Sequence, residues 1–98
     1  MFAKGFRFGK VWKGINMKRR IGFVGIILDD RKCVDRVNHL ISENAGMILA
    51  RVGLPQRDKG VSVITLVVEA TTDEVGLFTG RLGLIKGVSV KSALAKEL

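Results

Sequence analysis

The sequence predicts one α+β domain in which an antiparallel sheet carries two helices on one face. Three observations carry that expectation. Beyond residue 20 the apolar residues gather into four short runs rich in Val, Ile and Leu, which read as strands. Two stretches between them show helical spacing, each preceded by a residue type that caps helices. The chain has 98 residues, 47% of them apolar and 27% charged, which suits a single packed core and excludes a disordered polar segment.

The elements follow in order. Ile21-Gly-Phe-Val-Gly-Ile-Ile-Leu28 is a continuous branched run, as in a strand buried on both faces. Asp29-Asp30 ends it, and Asp30 is placed to cap a helix from Arg31 to about Asn44. At about 100° per residue, Cys33, Val34, Val37, Leu40 and Ile41 form one core-facing stripe. Ala45-Gly46 supplies the glycine that commonly closes a helix. Met47 to Leu54 reads as a second strand, with Arg51 marking an edge. Pro55 to Gly60 is a polar turn, and Val61 to Ala70 a third strand. Thr71-Thr-Asp-Glu74 has capping-box spacing and opens a helix that turns Val75, Phe78 and Leu82 to one side and ends near Gly83. Val88 to Ser92 is a short fourth strand before a polar tail. The order β-α-β-β-α-β is that of the ferredoxin-like split βαβ sandwich.

One feature does not suit a lone chain. Strands one and three are apolar at both parities, yet two helices cover only one face of a sheet. Sheet-to-sheet homo-oligomerisation, as a dimer or tetramer, is the economical answer. Along strand three Ile64, Leu66 and Val68 are the bulkier set and suit the core. Val61, Val63, Thr65 and Val67 are smaller and partly polar, and are the expected interface.

The formal charge of +8 is not spread evenly. Residues 1–20 hold seven basic side chains and no acid; the remainder holds ten basic and nine acidic ones. The basicity is therefore a leader, residues 1–16, joined to a nearly neutral domain, residues 17–98. Phe and Trp among its cations permit weak nucleic-acid contact, and a nucleic-acid-binding transcriptional regulator using this leader is the alternative functional reading. Lys13-Gly-Ile-Asn-Met17 also back-translates to a purine-rich run shortly before an ATG, so Met17 is a candidate start. The single cysteine excludes an intrachain disulfide and fits a reducing cytoplasm. No apolar run approaches the ~20 residues of a membrane span.

Enzymatic chemistry finds little support. Cys33 lies inside the apolar stripe, which favours a buried filler over a nucleophile or redox centre. His39 falls nearly opposite the core stripe of the same helix, so the two form no dyad, and one His with one Cys per chain cannot complete a zinc site without a partner subunit. Asp29 and Asp30 are adjacent and diverge, which suits a strand end and a cap better than an acid–base pair. No phosphate loop, Ser–His–Asp set or nucleotide fingerprint is present. Gly76, Gly80 and Leu77 lie off the core stripe of the second helix, as on a contact surface.

From Arg20 to about Leu94 the chain resembles the small proteins named iron-only hydrogenase system regulators. The resemblance is carried by Arg20-Ile-Gly-Phe-Val-Gly-Ile, Arg51-Val-Gly-Leu-Pro55, Asp58-Lys-Gly-Val-Ser-Val-Ile64, Thr71-Thr-Asp-Glu74, Gly80-Arg-Leu-Gly83 and Gly87-Val-Ser-Val-Lys-Ser92. It implies a stand-alone ACT-like domain, similar also to the ligand-sensing half of nickel-responsive repressors. It further implies oligomers with small-effector sites at the loop after strand one, here Asp29, Asp30 and Arg31, and at subunit interfaces. That loop lacks the Pro-Gly of amino-acid-binding ACT domains. The chain also lacks the nickel ligands and the ribbon-helix-helix segment of the repressors. The expectation is a non-enzymatic regulator without cofactor or metal, acting through a small ligand or a hydrogenase-system protein partner.

Overall fold

A computed structural model describes residues 18–55 and 60–96. The leader, with its candidate start at Met17, and the tip of the polar turn lie outside the described residues. The elements are β1 (Arg20–Leu28), α1 (Val34–Glu43), β2 (Ile48–Leu54), β3 (Ser62–Ala70), α2 (Thr72–Gly83) and β4 (Val88–Leu94). The sheet order is β2-β3-β1-β4, and every neighbouring pair is antiparallel. This is the α+β arrangement that the element order predicts, a small ferredoxin-like, ACT-like domain.

Alternation sets the core. On β1 Val24, Ile26 and Leu28 point toward the helices and are buried, as are Ile64, Leu66, Val68 and Ala70 of β3. Cys33, Val37 and Ile41 close over them from the α1 side, and Val75, Phe78 and Leu82 from α2. Val34 and Leu40 pack at the margin of the same cluster, as the stripe requires.

The caps are local and form as their residue types dictate. Asp30 has extended backbone, and its carboxylate accepts from the Lys32 amide at 2.9 Å. A short 3₁₀ turn, Arg31–Cys33, then precedes the α-helix proper. At α2 the Thr71 hydroxyl accepts from the Glu74 amide at 3.1 Å, and the Glu74 carboxylate accepts from the Thr71 amide at 2.9 Å. The capping box is complete.

Several boundaries differ from the sequence expectation. α1 is closed by Asn44, not Gly46: the Asn44 side-chain amide donates to the Leu40 carbonyl at 2.8 Å and its backbone amide to that of Ile41. Gly46 is not among the described glycines with positive φ, which are Gly60 and Gly87. Met47 is buried in a 3₁₀ turn rather than opening β2. β4 runs on to Leu94, because Gly22 pairs with it: a Cβ on Gly22 would lie 2.2 Å from the Ala93 carbonyl oxygen. The missing side chain lets the two backbones meet.

Candidate functional site

The loop after β1 is tied at both sides. The Asp29 amide donates to the Gly87 carbonyl at 2.9 Å. The Asp30 carbonyl accepts from the Cys33 amide at 3.1 Å and from the Cys33 thiol at 2.8 Å. Asp30 is therefore engaged in capping, while Asp29 and Arg31 are exposed beside it. The structure brings Asp29 and Asp30 against the turn before β4. Cys33 is buried, 3% exposed, where its thiol fills core space.

His39 lies on the outer side of α1, with its side chain 73% exposed and its Nε2 3.2 Å from the Glu43 carboxylate. It is remote from the core face that holds Cys33, as the helical spacing predicts. Among the described residues no group of His, Cys, Asp or Glu could hold a metal ion.

The larger recess lies between the two helices. It measures about 440 Å³ and is lined by Asp35, Arg36, His39 and Leu40 of α1 with Arg81, Leu84 and Ile85 at the end of α2. A smaller cleft of about 220 Å³ shares Arg36 and Ile85 with it and adds Asp30, Lys32, Cys33 and Lys86. Sequence reasoning missed this recess, since Arg36 and Arg81 come together only once the helices pack. The available signal was Leu84, an apolar residue beyond the core stripe that is 86% exposed.

The far face of the sheet is open. Phe23 of β1 pairs with Val67 of β3 and Ala93 of β4, and Ile27 pairs with Val63 and Ser89. On the edge, Val52 pairs with Thr65 and Leu54 with Val63. Phe23, Ile27, Val52 and Leu54 are 48%, 45%, 66% and 61% exposed, an apolar patch across three neighbouring strands. Within this chain β1 is thus buried on one face only, in contrast to the run of apolar residues that predicts both. Val63, Thr65 and Val67 lie on this open face; Val61 precedes β3, which begins at Ser62. Gly25, between Phe23 and Ile27 on the same strand, leaves a dip in the patch. On α2, Leu77 is 61% exposed, and Gly76 and Gly80 face open space.

A four-stranded antiparallel sheet with two helices on one face and clefts on the helical side defines a small ACT-like domain. Residues 20–92 match the model of the TM1266-like family, described as "Iron-only hydrogenase system regulator, putative". The chain belongs to that family. It is similar to the solved structure of the uncharacterized protein TM1266 from Thermotoga maritima, with 35% identity and a TM-score of 0.77 over 81% of this chain and all of that one. No curated protein sequence matches the chain.

Proposed function

We propose that the protein is a non-enzymatic regulatory module of an iron-only hydrogenase system, which works as a homo-oligomer and acts by binding a small ligand or a partner protein. The family description supports the system, and the observation that carries the mode of action is the open sheet face. Phe23, Ile27, Val52 and Leu54 expose contiguous apolar surface that a folded chain normally covers. A second copy suits it, because an isologous contact places the same patch on both sides of a two-fold axis. The face also carries Glu69 on β3 and Lys91 on β4, one charge of each sign for a symmetry mate to meet.

Sedimentation equilibrium of the purified full chain tests the reading. The expected result is a mass at least twice that of one chain at micromolar concentration. A monomer throughout the range overturns the assembly.

A further inference from the structure

We propose that the cleft between α1 and the end of α2 binds a small organic anion, an apolar chain or ring bearing a carboxylate or phosphate. The proposal rests on, and deepens, the reading of the chain as a ligand- or partner-binding regulator. The cleft, at about 440 Å³, falls within the usual range of small-ligand sites. Its floor is apolar: Ile85 is buried, and Leu40 packs on the core. Leu84 forms a wall, with 86% of its surface open to water. That exposure has a physical cost which an apolar ligand body would relieve.

The rim supplies the charge. Arg36 stands on α1 and Arg81 on α2, on opposite sides of the recess. Among the described residues neither guanidinium has a hydrogen-bond or ion-pair partner. His39 adds one uncommitted ring nitrogen, Nδ1, since its Nε2 lies 3.2 Å from the Glu43 carboxylate, and Asp35 is the lining carboxylate. The adjoining cleft continues the positive surface through Lys32 and Lys86, and its Asp30 carboxylate is already engaged by the Lys32 amide. Uncommitted guanidinium groups over an apolar floor favour a ligand that is anionic at one end and apolar at the other. Guanidinium binds carboxylate and phosphate oxygens through paired, charge-assisted hydrogen bonds.

Octanoate is a suitable probe, with octanol and octylamine as its neutral and cationic counterparts. Each is titrated into the ¹⁵N-labelled full chain and followed by amide chemical shifts. Octanoate is expected to bind saturably at millimolar concentration or below, moving the amides of Arg36, His39, Leu40, Arg81, Leu84 and Ile85. Arg36→Gln and Arg81→Gln should each weaken it about tenfold, the loss typical of one charge-assisted contact. Octanol should bind about tenfold more weakly for the same reason, and octylamine more weakly still. Both arginines are exposed, so the variants should keep the parent spectrum elsewhere. The site is overturned if octanol binds as tightly as octanoate, if the double arginine variant binds unchanged, if the shifts fall on the Phe23–Val67 face, or if nothing binds. Light scattering on the same samples separates the two proposals. A monomer that takes octanoate in the cleft refutes only the assembly, and an oligomer that ignores octanoate refutes only the site.

Discussion

Gly87 holds a positive φ of +88°, and a Cβ placed on it would lie 2.7 Å from the Cβ of Asp30. The residue that caps the 3₁₀ turn before α1 and the turn that launches β4 therefore occupy space that only a glycine leaves free. The Asp29 amide, donating to the Gly87 carbonyl, fixes the same junction.

Gly87→Ala is accordingly expected to destabilise the domain by about 2–3 kcal/mol, combining left-handed backbone strain with a steric clash. Gly60 is the internal control. It also has a positive φ, +70°, but a Cβ there meets nothing within 4 Å. Gly60→Ala should cost only the backbone component, about 1 kcal/mol. Urea unfolding of both variants reads the difference; equal losses would show that the contact with Asp30 contributes nothing.

Gly22→Ala should be the most damaging glycine substitution in the sheet. Its Cβ would meet the Ala93 carbonyl oxygen at 2.2 Å and the Leu94 side chain at 2.6 Å, so β1 and β4 must part. A loss of about 3 kcal/mol or more is expected, in the range of other overpacked cores. On the surface of α2 the sign reverses. Gly76→Ala and Gly80→Ala point into open space and should each stabilise by up to about 1 kcal/mol through helix propensity. Thermal melts of the variants settle both signs, and a neutral Gly22→Ala would show that β4 does not need the close approach.

What the sequence makes legible here is what is encoded locally. The stripe of Val37, Leu40 and Ile41 follows from helical period, and the Thr71–Glu74 box from residues three apart. Features that depend on distant segments meeting are different. The extension of β4 to Leu94 requires knowing that Gly22 lies opposite. The closure of α1 by Asn44 was hidden by the glycine two residues later, because either residue type can end a helix. The cleft lined by Arg36 and Arg81 joins side chains 45 positions apart, which no periodicity links. The open face was legible for the opposite reason: apolar residues at both parities of β1 and β3 outnumber what two helices can cover.

The capping box offers a quantitative check. Thr71→Ala removes the acceptor of the Glu74 amide and should cost about 1 kcal/mol. Glu74 also accepts from Arg19, at 3.2 Å, in an exposed pair. Exposed pairs contribute little, so Arg19→Ala should cost under about 0.5 kcal/mol. If Arg19→Ala proved the costlier in urea titrations, the residues just before β1 would matter to the fold more than the cap does.

Nucleic-acid affinity, if measured, should reside in residues 1–16. From Met17 onward the chain has thirteen basic and nine acidic side chains, and Arg19 is occupied with Glu74 and with the Glu69 carbonyl. Fluorescence anisotropy on random duplexes should show weak, steeply salt-dependent binding by the full chain, as expected when few phosphates are neutralised. A chain beginning at Met17 should lose it while keeping the parent melting temperature. Tight, salt-resistant binding by that shorter chain would instead place a nucleic-acid surface on the domain.

The two faces of β3 can be told apart by one substitution on each. Leu66 is fully buried between sheet and helices, whereas Val63 pairs with Ile27 and Leu54 on the open side. Lysine at Leu66 would bring an unpaired ammonium into the core, at a cost of several kcal/mol. Leu66→Lys should therefore be insoluble or lack a cooperative melt. Val63→Lys leaves the core of its own chain intact and sets a charge in the proposed interface, where its two-fold mate would carry the same charge. The expected product is a folded species of smaller mass by light scattering, with the helical circular dichroism of the parent. Should Val63→Lys keep both mass and melting temperature, the chains do not meet across this face. The exposed side of α2 around Leu77 would then be the surface to vary next.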